Sequence, residues 1–247
     1  KVKNYPEDIE IENKKYKVEY KINKDLENYI KKLLKRYKTD YSAIVVIDNN
    51  SGNILSAVGK NGKEKGFSKN NLFSSTHPSA SLFKIITAAN LMESENLKGN
   101  SIVEYVGRGN TLYKYQLKNK IKKYKRTQTI NKAFARSNNV IFGKLAINHL
   151  TGTGLFNTAT RFGFNKRIMN EINIGKSYFS MPEDQYNLAE LASGFNKETT
   201  ISPIHAALLS SVVANDGLLK SPQIVKKIIY PNKKKEFIFS KTKPIKI

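Results

Sequence analysis

The sequence contains no cysteine and no tryptophan in 247 residues. Without thiols there can be neither a disulfide framework nor a thiolate metal site. Acidic residues are scarce: 20 Asp and Glu face 43 Lys and Arg, a formal net charge of +23. Arginine is scarce too, limited to Arg36, Arg108, Arg126, Arg136, Arg161 and Arg167, so lysine carries the charge. Nucleic-acid readers cluster their charge and rely on bidentate arginine. Here lysine is spread over the whole length and no nucleic-acid motif is present, so no nucleic-acid partner is expected. The same charge suits a surface facing an anionic cell envelope. No run of about 18 apolar residues exists to span a membrane. Lys1-Val2-Lys3-Asn4-Tyr5-Pro6 has no apolar stretch behind it and is not a signal peptide. Either the protein is cytoplasmic, or an export or anchor segment is expected outside these residues. The length suffices to bury a real core.

The hydrophobic pattern changes along the chain. Alternation over 16–22 predicts a strand, and Leu26, Tyr29, Ile30, Leu33, Leu34 and Tyr37 lie at helical spacing after the start signal Asn23-Lys24-Asp25. The apolar run 42–48, the turn Asn49-Asn50-Ser51-Gly52 and the run 54–59 predict an antiparallel hairpin buried on at least one face. From Leu72 helices dominate. They are expected over 81–92, over 129–150 in two pieces around Ser137-Asn138-Asn139, and over 155–162, 188–195 and 203–214. Strands are expected again over 222–230 and 236–239, with Pro231-Asn232 turning between them. Strands, a helical middle and strands make an α+β fold rather than a βαβ repeat.

Two short motifs carry chemistry. Ser81-Leu82-Phe83-Lys84 puts a hydroxyl and an amine one helical turn apart on one face, ahead of the apolar run Ile85 to Leu91. A buried lysine can lose its proton and act as the base that a weak hydroxyl nucleophile needs. The bare pattern is weak in a lysine-rich chain. A second copy, Ser240-Lys241-Thr242-Lys243, has no apolar helix behind it and is followed by Pro244. The other motif is Ser137-Asn138-Asn139. Three polar residues interrupting an apolar helical stretch need hydrogen-bond partners. One reading makes Ser137 or Asn138 the cap of a helix starting at Val140. Another has Ser137 relay a proton while Asn139 holds Lys84 or a substrate amide, and the two are compatible. His77 is expected in a turn or at a rim, and His205 in packing. The stretch 114–126, with Tyr113, Tyr115 and Tyr124 among lysines, is expected to be a solvated loop.

Together these segments resemble the transpeptidase domain of penicillin-binding proteins, in the penicilloyl-serine transferase and serine β-lactamase superfamily. The likeness runs through the hairpin 41–57, Pro78 to Ala89, Ala135 to Ala146, Arg161-Phe162-Gly163-Phe164-Asn165 and Ile201 to Leu208, followed by Asn215-Asp216-Gly217. The resemblance implies an α+β fold of the DD-peptidase/β-lactamase type, an antiparallel sheet with a helical subdomain. It divides the chain into a pre-domain strand and helix over 1–38 and a transpeptidase domain over 39–247. It also implies a peptidoglycan D,D-transpeptidase acting through a serine acyl-enzyme and acylated by β-lactams. Ser81 would be the nucleophile, Lys84 the general base, Ser137 the proton shuttle and Asn139 the substrate anchor. The Ser81 backbone N–H would be one oxyanion donor. No metal or organic cofactor is implied. The implied partners are peptidoglycan stem peptides, β-lactam antibiotics and other wall-synthesis proteins, on the outer face of the bacterial cytoplasmic membrane.

Two departures stand out. The family's Lys-Thr-Gly or Lys-Ser-Gly strand motif is missing, since Lys241-Thr242-Lys243 lacks the glycine. On that ground the domain is expected to lack its C-terminal strands. The Pro-Gly expected before the nucleophile reads Ser79-Ala80. Two further readings stay open: a β-lactamase or β-lactam sensor of the same fold, and a non-catalytic scaffold.

Overall fold

The structure, a computed structural model, describes residues 6–37, 39–61, 67, 70–95, 97–118, 124–231, 235–240 and 242–247. Residues 1–5, Lys38, residues 119–123 of the lysine–tyrosine stretch, Asn232 of the expected turn and Lys241 lie outside them. In chain order the elements are β1 (Asp8–Ile11), β2 (Lys14–Tyr20), α1 (Lys24–Arg36), β3 (Tyr41–Ile47), β4 (Ile54–Asn61), α2 (Asn70–Phe73), β5 (His77–Pro78) and α3 (Lys84–Glu95). There follow β6 (Ile102–Val106), β7 (Lys125–Thr129), α4 (Ile130–Ala135), α5 (Asn139–His149), α6 (Gly152–Arg161), α7 (Gln185–Ser193), β8 (Thr200–Ile201), α8 (Pro203–Ala214), β9 (Leu218–Leu219), β10 (Val225–Ile229), β11 (Glu236–Phe237) and β12 (Ile245–Lys246). Short 3₁₀ turns cover Ala80–Phe83 and Lys114–Leu117. The ladders between these strands are all antiparallel, so the fold is α+β as the sequence pattern predicts. No described helix is long and apolar enough to cross a membrane.

The chain forms two compact units, one of residues 1–75, 166–176 and 202–247, the other of 76–165 and 177–201. The first carries a four-stranded sheet in the order β1-β2-β10-β11 and the hairpin β3–β4. α1 starts where the sequence places it, with the Asn23 side chain accepting from the Leu26 N–H at 3.0 Å, a cap worth about 1 kcal/mol. Its apolar face buries Ile30 and Leu34 against Val58 of β4, flanked by Leu26, Ile44, Val46 and Phe67. Lys21 joins sheet to hairpin, donating to Asn53 Oδ1 at 2.8 Å and Gln223 Oε1 at 2.7 Å. Glu171 is half-buried and accepts from the Ile224 and Val225 N–H groups at 2.6 and 2.7 Å. His205 lies fully buried in α8, as packing requires.

The second unit is the helical one, with α3 to α7 and the small ladders β5–β8 and β6–β7. Phe83 is fully buried and meets Phe164 edge-on at 5.7 Å and Phe179 at 5.9 Å. Hydrogen bonds fix α3 on two sides. Thr87 donates to the Ala192 carbonyl at 2.8 Å, and Asn90 donates to Thr158 Oγ1 at 2.7 Å. The β6–β7 hairpin differs from the sequence expectation, because Lys125 and Arg126 belong to a strand rather than to a solvated loop. β7 reads Lys-Arg-Thr-Gln-Thr and is mostly exposed, so it carries no apolar alternation to betray a strand. The helix expected from Ser81 begins instead as a 3₁₀ turn and becomes α-helical at Lys84.

Candidate active site

The nucleophile turn is built by three local constraints. His77 and Pro78 pair with Ile201 and Thr200, and the Ser79 N–H donates to the Thr199 carbonyl at 2.8 Å. His77 itself is exposed at this edge, a rim position as expected. Ala80 then takes a left-handed backbone, φ 47°, and the chain enters the 3₁₀ turn. Phe83 plunges into the core, which leaves Ser81 exposed and carries Lys84 inward to 1% exposure.

The second motif arrives from the α4–α5 corner. Ser137 is also left-handed, φ 50°, and breaks the helical path between the two helices. Asn138 caps α5: its side chain accepts from the Ile141 N–H at 3.1 Å and donates to Gln128 Oε1 at 3.0 Å. The helix thus starts at Asn139, one residue before the expected Val140. Asn139 donates its backbone N–H to the Gly109 carbonyl at 2.6 Å and its side-chain amide to the Asn110 carbonyl at 3.2 Å.

The four sequence-predicted residues converge on the Lys84 amine. Nζ lies 3.1 Å from Ser81 Oγ, 3.1 Å from Ser137 Oγ and 2.8 Å from Asn139 Oδ1. The Ser137 hydroxyl donates to Ser81 Oγ at 2.8 Å. A fourth partner comes from α7, the Ser193 carbonyl, at 2.6 Å. Carbonyl oxygens only accept, so the two shortest contacts each consume one N–H of Lys84. The remaining position faces the two hydroxyls. When the amine is neutral, that position is its lone pair, directed at the Ser81 proton. Burial pushes the Lys84 amine down from 10.5 to about 8; a desolvated ammonium is disfavoured in a low-dielectric surrounding. The arrangement therefore holds against an exposed hydroxyl an amine that gives up its proton far more readily than an ordinary lysine, and Ser137 bridges the two.

The remaining sequence candidates lie elsewhere. Ser240 and Lys243 of the second Ser-x-x-Lys copy sit in irregular chain without a helix. Among the described residues no group of three or more His, Asp and Glu is placed to hold a metal ion.

The family model for the penicillin-binding protein transpeptidase domain matches residues 42–246. The chain belongs to that family. Solved structures agree in fold. An imipenem acyl-enzyme of penicillin-binding protein A from M. tuberculosis superposes with a TM-score of 0.73 at 17% identity, over 92% of this chain and 59% of that one. The D,D-transpeptidase domain of a peptidoglycan glycosyltransferase from Eggerthella lenta gives 0.73 at 20% identity, over 94% and 62%. Penicillin-binding protein 3 from M. tuberculosis, complexed with aztreonam, gives 0.76 at 16% identity, over 94% and 54%. The transpeptidase chain thus spans less than two thirds of each of these structures. A comparison with curated proteins finds no match.

In this transpeptidase domain two site elements escape the sequence motifs. One is the Ser193–Gly194 end of α7. Gly194 caps the helix in a left-handed conformation, φ 67°, and a Cβ there would stand 1.8 Å from the Ala80 carbonyl oxygen. Only glycine lets α7 reach the nucleophile turn and deliver the Ser193 carbonyl. The glycine after an apolar helix was the available signal. The other is the segment 107–111, whose carbonyls hold Asn139; a backbone oxygen has no residue signature.

Proposed function

We propose that the domain is a serine D,D-transpeptidase that cross-links peptidoglycan stem peptides. Ser81 gives its proton to the Lys84 amine as Oγ bonds to the carbonyl carbon of the penultimate D-Ala. The Ser81 N–H supports the oxyanion. Lys84 returns the proton through Ser137 to the departing D-Ala nitrogen, the C–N bond breaks, and an acyl-enzyme remains on Ser81. The amine of a second stem peptide then attacks the ester, loses its proton to the same relay and restores the Ser81 hydroxyl. Asn139, with one N–H on the Asn110 carbonyl, offers the other to the substrate backbone. β-Lactams enter by the same acylation, in keeping with the acyl-enzyme complexes of the related folds. The site of action is the outer face of the cytoplasmic membrane, where stem peptides are cross-linked.

The observation that carries this reading is the saturation of Lys84 by two carbonyl acceptors, which turns its free valence to Ser81. Fluorescent penicillin tests it: covalent label is expected on the peptide containing Ser81 and none on a Ser81→Ala variant. Failure of the folded protein to take up label, or label on another residue, would sink it.

A further inference from the structure

We propose that Gln116 is a positioning residue for the acylation step, acting through the segment 107–111 on Asn139. The proposal rests on the acyl-transfer reading above. Gln116 is 1% exposed, yet its amide makes four hydrogen bonds, all to one short segment. Nε2 donates to the Val106 carbonyl at 3.0 Å and the Arg108 carbonyl at 3.2 Å. Oε1 accepts from the Tyr113 N–H at 2.8 Å and shares the Thr111 hydroxyl, at 3.0 Å, with the Arg108 carbonyl at 2.8 Å. Both amide hydrogens and the carbonyl oxygen are engaged, so the side chain works as an internal template for the curve of the chain.

Close approaches show how tightly that curve is drawn. A Cβ at Gly107, φ 73°, would stand 2.7 Å from Gln116 Nε2, and one at Gly109 would stand 2.7 Å from the Asn138 Nδ2 atom. The segment is also seated on the helices. Tyr186 of α7 donates to the Leu112 carbonyl at 2.9 Å, and the Leu112 side chain is buried.

The consequence is chemical. The Gly109 and Asn110 carbonyls are the two acceptors for Asn139, one for its backbone and one for its side chain. With Nδ2 engaged by Asn110, Oδ1 must face Lys84, where it accepts at 2.8 Å. If the segment relaxes, the Asn139 amide is free to rotate and Lys84 loses an acceptor that aims its lone pair. Gln116 touches no reacting atom. It sets the orientation of a group that does.

The test is a double-mutant cycle in the full chain, reading the second-order rate of Ser81 acylation by fluorescent penicillin. Gln116→Met is expected to slow acylation about 10- to 100-fold, the size of a small misplacement near reacting groups. Combined with Asn139→Ala, it should slow the reaction no further than Asn139→Ala alone, because both changes remove one and the same orientation. Multiplying effects, or an unchanged rate in Gln116→Met, would overturn the proposal. If Gln116→Met does not fold, Thr111→Val removes, from the half-buried side, the hydroxyl that the amide shares with the Arg108 carbonyl. It should slow acylation about fivefold, the worth of one hydrogen bond, with the same non-additivity, and an unchanged rate again overturns the proposal. If the wild-type protein is not acylated, the acyl-transfer reading has failed by itself. Hydrogen exchange then decides the positioning claim: the Asn139 N–H should exchange faster in Thr111→Val while the amides of α3 do not change. Unchanged exchange at Asn139 would refute it.

Discussion

Ala80 precedes Ser81, Ser137 donates its hydroxyl to Ser81 Oγ, and both Ala80 and Ser137 sit in the left-handed region, at φ 47° and 50°. For a residue with a Cβ this costs on the order of 1–2 kcal/mol. At Ala80 the cost has a legible origin, since the family resemblance leads one to expect glycine there and the chain has alanine. Ala80→Gly should therefore stabilise the fold by about 0.5–1 kcal/mol after allowing for the looser unfolded chain, and so raise the thermal midpoint. Calorimetry checks this, and a lowered midpoint would show that the left-handed turn is not strained. Ser81, Lys84, Ser137 and Asn139 were all legible from two short motifs, because hydroxyl, amine and amide side chains announce their chemistry. The Ser193, Gly109 and Asn110 carbonyls were not, because main-chain oxygens occur at every position and only folding selects them.

At the scale of elements, the site depends on helix ends rather than helix bodies. α3 begins at Lys84, α5 at Asn139, and α7 ends at Ser193, so three termini present their side chains and unpaired backbone groups to one point. Gly194 is the tightest of these junctions. Gly194→Ala would force a Cβ into the Ala80 carbonyl and strain a left-handed residue, so a loss of about 3 kcal/mol or more is expected. Denaturant unfolding measures it; a change below about 1 kcal/mol would mean that α7 does not press on the nucleophile turn. The helices and the β3–β4 hairpin were legible because their apolar periodicities are strong. The β6–β7 hairpin was not, since both strands are short and β7 is mostly exposed and leaves no alternation to read.

For the whole molecule, the junctions of the two units fall at residues 75/76, 165/166, 176/177 and 201/202. Ser74-Ser75, Gly175 with Ser177, and Ser202-Pro203 stand beside three of them, but the same residue types mark ordinary turns such as Asn50-Ser51-Gly52 and do not single the junctions out. Units assembled from segments far apart in sequence leave little compositional trace, whereas the α+β order of elements survives in the hydrophobic pattern. The net charge of +23 is also a whole-molecule property. Spread over many lysines, it gives a field rather than a site. Adsorption to an anionic wall polymer should be strong at about 10 mM salt and fall steeply by about 150 mM, as the screening length shortens from about 30 to about 8 Å. Co-sedimentation at the two salt concentrations checks this, and salt-independent binding would point to specific contacts instead.

The central claim is that a desolvated Lys84, held by two carbonyls, takes the proton of Ser81. Its most direct test is the pH dependence of the acylation rate with a β-lactam. The depressed amine must be neutral to act, so the rate should be low below its titration, rise with pH through about 8 and level off above. A rate that stays flat from about pH 6 to about pH 10, or one that rises only near the ordinary lysine value of about 10.4, would contradict it.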